Sequence, residues 1–187
     1  MFIETEQTPN PATLKFLPGR DVLGDRTAYF SQADVAAKSP LALRLFDVDG
    51  VAAVFLGSDF VTITSDGADW QDLKPAILGV IMEHFTAGLP VMEDDAPAPS
   101  AAPASDEEDD EIVTQIKELL DTRVRPAVAQ DGGDIVYNRF EDGIVYLHMQ
   151  GACAGCPSST ATLQYGIQNL LQHFIPEVTE VRPVQAP

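Results

Sequence analysis

The chain has 187 residues, of which 45% are hydrophobic, so it can form one ordinary domain or two small ones and is not disordered throughout. Its formal net charge of −18 at pH 7 argues against nucleic-acid binding as the main activity, because phosphate neutralisation needs clustered Lys and Arg. No apolar run reaches the length of a membrane-spanning helix, so we expect no membrane partner.

The start of the chain and its cysteine content indicate the compartment. The first six residues, Met-Phe-Ile-Glu-Thr-Glu, have a net negative charge and lack the basic and apolar regions of a secretory signal. Two cysteines allow at most one intrachain disulfide, which is not the framework of a secreted protein. These features predict a reducing, cytoplasmic location in a bacterium, and a trimmed mitochondrial-matrix form would look the same.

Residues 1–92 show the pattern of a small α+β domain. Short strands are predicted over residues 2–7 and 13–17, separated by a Pro-Asn-Pro turn. Residues 51–56 and 60–64 are typical of a hairpin joined by Gly-Ser-Asp.

Two helices are predicted in the same part of the chain. Ser39 followed by Pro40 indicates an N-cap and a first helical residue, which open a short helix to about Phe46. A longer amphipathic helix, ended by Gly88, is indicated by apolar residues at three- and four-residue spacing: Trp70, Leu73, Ile77, Val80, Ile81 and Phe85.

Residues 93–110 predict a flexible linker. The segment is rich in Pro and Ala, and residues 93–111 contain nine acidic residues and no basic one. Such a composition cannot bury a core, and its like charges repel one another. We therefore expect an extended acidic connection between two domains.

Residues 111–187 predict a second α+β domain. Its first helix is indicated by an apolar stripe, with a kink or end expected at Pro126 and termination at Gly132-Gly133. A hairpin follows over residues 135–140 and 144–149. The apolar stripe of the first helix consists of Ile112, Ile116, Leu119, Leu120 and Val124.

The end of the second domain predicts one more helix and one more strand. The helix is expected to be capped by Ser158 or Ser159 and stopped by Pro176, with a strand over residues 178–181. Its apolar face is formed by Leu163, Ile167, Leu170, Leu171 and Phe174. The sequence thus predicts an α+β protein of two small domains, with mixed or antiparallel sheets and helices on one face.

The only two cysteines stand together as Cys153-Ala154-Gly155-Cys156, between a predicted strand and a predicted helix. Two thiolates cannot complete the four-ligand shell of zinc or of a cubane iron–sulfur cluster. The motif therefore performs redox chemistry within one chain or binds metal between two chains. The helix N-terminus that follows is expected to lower the pKa of a nearby thiol.

Four readings of the motif remain open on residue chemistry alone. One of them, a cysteine pair that is merely buried or exposed, would require the only two cysteines of the chain to fall together by chance. A thioredoxin-like dithiol also uses strand, CxxC and helix, although few strands surround this one. A structural zinc site would need further ligands, and the three histidines are not paired at ligand spacing. A cluster shared by two chains would receive four thiolates and, held by short loops, could be released intact.

Two stretches of the sequence resemble the Nfu branch of the NifU-like iron–sulfur proteins. The C-terminal part is similar to the NifU C-terminal domain in Arg125-Pro126-Ala127-Val128, Asp131-Gly132-Gly133-Asp134 and the run from Gly151 to Ser159. The N-terminal part resembles the Nfu N-terminal domain in the run from Thr8 to Phe16 and in the helix that begins with Trp70.

The resemblance implies a function for Cys153 and Cys156. It implies that they bind a 4Fe–4S cluster between two C-terminal domains, and a 2Fe–2S form stays open. The implied protein is a scaffold or carrier, not an enzyme, which forms a homodimer when cluster-bound. Its implied partners are an upstream cluster donor and apo iron–sulfur proteins. The alternative function is that of a thiol–disulfide oxidoreductase.

Other polar residues have simpler readings. Asp131 to Asp134 predict a helix stop and a turn, because they lack the ligand count of a calcium site. Arg123 and Arg125 fit solvated helix charges or contacts to a negative cluster. Trp70 is expected to anchor a core, and His148 to bond a neighbour on one face of its strand. The first domain shows no catalytic pattern, so a partner-binding role is predicted for it.

Overall fold

The computed structural model describes residues 1–93, 111–154 and 157–184. The chain divides into two compact units, Met1–Ser100 and Ala101–Pro187, and the predicted two-domain α+β architecture is confirmed. The predicted linker lies outside the described residues except for Glu93, and Cys156 lies outside them as well. Over the described ranges, no helix has the length and apolar character needed to cross a bilayer.

The first unit contains the strands β1 (Glu4–Gln7), β2 (Thr13–Leu17), β3 (Ala28–Phe30), β4 (Val51–Leu56) and β5 (Val61–Ser65). They form one sheet in the order β1-β2-β5-β4-β3, in which all pairs are antiparallel. Four of its strands match the predicted ones to within two residues. β3 was not predicted, because three residues are too few to show an alternating pattern; it pairs with β4 at one edge of the sheet.

The helices of the first unit follow their predicted signals. A 3-10 helix (Ala33–Lys38) precedes α1 (Pro40–Phe46), and α2 spans Trp70–Thr86. The Ser39 side chain caps α1 by accepting a hydrogen bond from the Ala42 N–H at 3.1 Å. The helices and the sheet share one core, whose largest fully buried side chains include Phe16, Phe30, Leu41, Leu45, Leu56, Ile63, Ile77 and Ile81.

The second unit begins with a helical segment that does not break at Pro126. α3 (Glu111–Leu119) continues through a π-helical turn (Leu120–Val124) into α4 (Arg125–Gln130). Pro126 lies in the first turn of α4, where its fixed φ suits the helix. Where the sequence predicts a kink or an end, the structure has a π-helical turn directly before α4.

A three-stranded sheet follows, formed by β6 (Gly133–Glu141), β7 (Ile144–Gly151) and β8 (Glu180–Val184). β6 and β7 form the predicted hairpin, and β8 runs parallel to β7 after the crossover through α5 (Pro157–Phe174). The last strand begins two residues later than predicted, because Val178 is buried in the turn that follows α5 and not in the sheet.

α5 begins at Pro157, so it starts before both serines, and the predicted cap at Ser158 or Ser159 was wrong. The core of this unit joins the helices to one face of the sheet. Its buried members are Ile116, Leu120, Val124, Val128, Ile135, Val145, Leu147, Cys153, Ile167, Leu171, Ile175, Val178 and Val181.

Candidate metal centre

Cys153 lies in the turn that connects β7 to α5. The turn closes through a hydrogen bond from the Ala154 N–H to the Gly151 carbonyl at 3.1 Å. From α5, the Thr160 hydroxyl donates to the Cys153 carbonyl at 3.2 Å. The Cys153 side chain belongs to the domain core, is only 6% exposed and is in no disulfide. Its backbone is therefore fixed by both neighbouring elements.

The turn between α4 and β6 packs directly against Cys153. Gly132 has a φ of 80°, in the left-handed region that glycine adopts without strain. A Cβ on Gly133 would lie 2.5 Å from the Cys153 Sγ and 2.8 Å from the Gln150 carbonyl oxygen. The Asp-Gly-Gly-Asp motif is thus a helix stop and a turn, as predicted, and its second glycine also makes room for the cysteine sulfur.

The electrostatic environment of Cys153 opposes ionisation of the unligated thiol. Burial, together with the smaller effect of the nearby Asp131 and Asp134 carboxylates, raises the pKa of Cys153 to about 12. The predicted lowering by the helix N-terminus was wrong for this thiol, because loss of solvent and two nearby negative charges outweigh the helix dipole. Nothing is assigned to the Cys156 sulfur, which lies outside the described residues.

A buried ion pair lies beside the same turn. The Arg125 Nε donates to Asp134 Oδ1 and its Nη2 donates to Asp134 Oδ2, both at 2.9 Å. Arg125 also donates to Asp121 at 3.0 Å. The Asp134 side chain is 4% exposed, and its pairing raises the pKa of Arg125 above an already high value. Arg125 is therefore a structural partner of Asp134 and not a solvated helix charge.

The other polar residues of this unit occupy structural positions. Arg123 stacks over the Phe174 ring at 5.2 Å. His148 forms a 2.9 Å hydrogen bond with Asn138 across β6 and β7, which confirms the prediction that it bonds a neighbour on its strand face. No group of three or more His, Cys, Asp or Glu side chains within residues 1–93, 111–154 and 157–184 is placed to hold a metal ion.

The first unit has a groove where its sheet meets α2. The groove has a volume of about 580 Å³ and is lined by β1, by the Pro9–Pro11 turn and by Trp70 and Lys74. Trp70 packs against the core, as predicted, and its indole Nε1 donates to the Pro11 carbonyl at 3.3 Å. The groove lining is mainly Thr, Gln, Asn and Pro.

Two protein-family models match the chain. The model described as "Scaffold protein Nfu/NifU N terminal" matches residues 3–88, and the "NifU-like domain" matches residues 116–182. A human protein, "NFU1 iron-sulfur cluster scaffold homolog, mitochondrial", is 53% identical over an alignment of 186 residues, and the match covers 98% of this chain and 72% of the human one. The chain belongs to the Nfu family. The resemblance inferred from sequence motifs is confirmed.

A second relative supports the same assignment, and one solved structure shares part of its length with the chain. A Drosophila erecta protein of the same name is 54% identical to the Nfu chain, which spans 65% of the fly protein's length. The solution structure of a NifU-like protein from Saccharomyces cerevisiae covers 51% of the Nfu chain and 87% of its own, at 28% identity and a TM-score of 0.44. Both matched domains of the Nfu chain lie outside the acidic segment.

Proposed function

We propose that the protein is an iron–sulfur cluster scaffold and carrier that binds one 4Fe–4S cluster between two chains. Cys153 and Cys156 of each chain would provide the four thiolates that such a cluster requires. The observation that carries the proposal is the cysteine count, since this chain has two cysteines and its relatives are named as cluster scaffolds. Dimerisation would therefore accompany loading.

The local structure supports this use of Cys153. The turn between β7 and α5 fixes the backbone of Cys153. Because the cysteine side chain is short, the backbone also fixes the position of the sulfur. Metal binding removes the thiol proton. The negative charge of the thiolate is then compensated by iron, which the apolar core cannot do. A cluster held mainly by two short loops has few other contacts, which favours release to an apo-protein.

The proposed partners follow from this role. An upstream protein would supply the cluster or its iron and sulfide, and apo iron–sulfur proteins would receive it. We place the protein in a reducing compartment. The cytoplasm remains our prediction from sequence, and the names of the mitochondrial relatives support the matrix as a second location.

Anaerobic reconstitution with iron and sulfide tests the proposal. We expect about two iron atoms and two sulfides per chain, the absorbance of a 4Fe–4S cluster, and a mass in solution that doubles on loading. Cys153→Ser and Cys156→Ser should each prevent loading. The loaded protein should also activate an apo-enzyme that requires a 4Fe–4S cluster. A loaded monomer, or no iron uptake, would contradict the proposal.

The alternative, a thiol–disulfide oxidoreductase, makes opposite predictions. Its nucleophile should be an accessible thiolate, whereas the Cys153 side chain is buried. An oxidoreductase would reduce insulin disulfides without iron and would lose that activity in each single cysteine variant. We expect no such activity in the metal-free protein. The metal-free parent, the reconstituted parent, Cys153→Ser and Cys156→Ser therefore distinguish the two functions.

We assign recognition of partner proteins to the N-terminal domain. The groove beside Trp70 and Lys74 supports this assignment, because it is large enough for a peptide segment. Deletion of residues 1–92 should leave cluster loading intact and reduce transfer to some acceptors. Lys74→Glu in the full chain should reduce the same transfers without changing loading. Equal transfer by the parent, the deletion variant and Lys74→Glu would contradict the assignment.

A further inference from the structure

We propose that Arg125 is a positioning residue for the cysteine loop. Through the buried Asp134 carboxylate, it fixes the Gly132–Gly133 turn against which the Cys153 sulfur packs. The inference concerns the metal-free protein and goes beyond the proposed function. Only the cluster-release part of its test rests on that function.

The first step is the geometry of the ion pair. Both Asp134 oxygens accept hydrogen bonds from one guanidinium, at 2.9 Å each, in a two-pronged arrangement that fixes the carboxylate plane. The Asp134 side chain is nearly excluded from solvent, whereas the Arg125 side chain is 36% exposed. Asp134 therefore depends on the protein, and not on water, to compensate its charge.

The second step leads from Asp134 to the turn. Its Oδ1 also accepts a hydrogen bond from the Ile135 N–H at 2.8 Å, so the carboxylate is tied to the backbone at the start of β6. The two preceding residues are the glycines of the turn. Gly132 accepts a hydrogen bond from the Ala152 N–H at 3.2 Å, next to Cys153. A shift of Asp134 would therefore displace the cysteine loop.

The third step is the lack of space around the sulfur. Because a Cβ on Gly133 would lie 2.5 Å from Cys153 Sγ, the Gly133 backbone packs directly against the sulfur. An Asp134 without its guanidinium would move toward water to recover hydration, and the adjacent Gly133 backbone would move with it. The sequence places Arg125 nine residues before Asp134, and only the fold brings the two together.

Four single variants of the full chain separate positioning from charge. Arg125→Gln removes the guanidinium, and Arg125→Lys keeps the charge but loses the fork. Arg123→Gln is the matched control. It removes the same charge at a position two residues before Arg125, and the Arg123 side chain stacks on Phe174. Asp121→Asn removes only the negative charge of the exposed partner of Arg125.

The main readout is amide hydrogen exchange in the metal-free protein. The Ala152 N–H, bonded to Gly132, reports on the loop, and the amide of the fully buried Val145 reports on the whole domain. We expect Arg125→Gln to accelerate exchange at Ala152 about tenfold more than at Val145, as loss of a charge-assisted bidentate pair implies. Arg125→Lys should lie in between, and both controls should stay within about twofold of the parent.

The second readout is the rate at which a chelator removes the bound cluster. We expect Arg125→Gln to raise it about tenfold, with partial rescue by Arg125→Lys and no change in either control. The double variant Arg125→Gln/Asp134→Asn should restore part of the Ala152 protection, because it also removes the buried charge that the Arg125 guanidinium compensates. This variant also tests the proposal if Arg125→Gln folds poorly.

Three results would overturn the proposal. Equal acceleration at Ala152 and Val145 would make Arg125 a general stabiliser of the domain. Equal effects of Arg123→Gln and Arg125→Gln would make the effect one of net charge. Unchanged exchange in Arg125→Gln would remove the link from Asp134 to the loop. If the parent protein takes up no cluster, the proposed function fails, and the exchange measurements still decide the positioning role.

Discussion

Gly133 and Cys153 are in direct contact: the position of a Cβ on Gly133 lies 2.5 Å from the Cys153 Sγ. Real Cβ atoms do not approach neighbours this closely, and the other nearby atoms are the Gln150 carbonyl oxygen and the Cys153 nitrogen. Two of the three neighbours are therefore backbone atoms that cannot rotate away. The glycine is required by the cysteine, although 20 positions separate them in the sequence.

We expect Gly133→Ala to displace Cys153 and abolish cluster loading. Overpacking at this site should also lower the free energy of unfolding of the C-terminal unit by about 1–3 kcal/mol. Iron content after reconstitution and urea unfolding followed by NMR of β7 amides would measure the two effects.

Gly166→Ala is the matched control for this change. Gly166 lies on the exposed side of α5, and a Cβ there would meet no atom within 4 Å. The Gly166→Ala variant should load the cluster normally, and its free energy of unfolding should rise by about 0.5–1 kcal/mol because Ala has the higher helix propensity. Normal loading by Gly133→Ala would show that the loop can move without losing the site.

Asp142 offers a second test of local backbone geometry. It is the only non-glycine residue with a positive φ (51°) within the described ranges, and it turns the chain between β6 and β7 together with Gly143. A β-branched side chain is strained in this conformation, so Asp142→Val should lower the free energy of unfolding by about 1–2 kcal/mol. Asp142→Asn should keep or slightly raise it. Urea unfolding followed by β7 amide signals would measure both, and equal stability of the two variants would contradict the expectation.

His84 makes the stability of the N-terminal unit depend on pH. The ring is fully buried, its Nε2 lies 3.1 Å from the Pro90 carbonyl, and no partner is found for its Nδ1. Burial is the main cause that lowers the pKa of His84. Below about pH 6.5 the unfolded chain therefore binds a proton that the folded chain does not bind. The free energy of unfolding then decreases as the pH is lowered.

The single tryptophan, Trp70, lies in this unit and reports its unfolding separately from that of the other unit. We expect the free energy of unfolding to fall between pH 7.5 and 5 by up to about 1.4 kcal/mol per pH unit. His84→Gln should flatten the dependence, whereas His173→Gln, at an exposed histidine of the other unit, should not. The same slope in His84→Gln would assign the effect to other groups.

Ser39 links α1 to the end of the first unit. Its hydroxyl accepts from the Ala42 N–H at 3.1 Å and donates to the Val91 carbonyl at 2.6 Å, and the residue is fully buried. Ser39→Ala should cost about 1–3 kcal/mol, because both partners lose a hydrogen bond away from water. Urea unfolding followed by Trp70 fluorescence measures the loss. Ser58→Ala, at an exposed hydroxyl, should change stability by less than about 0.5 kcal/mol.

Many elements could be predicted because their signals are local. The cap at Ser39, the apolar spacing of α2 and the Asp142-Gly143 turn depend on residues within a few positions of one another. β3 could not, since its three residues gain their strand geometry from pairing with β4. The start of α5 was also missed, because proline and serine both suit the first turn of a helix.

The candidate site divides in the same way. The sequence by itself determined that two thiols in one short motif need further ligands, and its motifs indicated the family. Only the tertiary structure decided that Cys153 is buried, that burial raises its pKa, that Gly133 touches its sulfur and that Arg125 pairs with Asp134. Ligand number and helix spacing are properties of nearby residues, whereas burial, contact and charge pairing depend on segments that meet only when the chain folds.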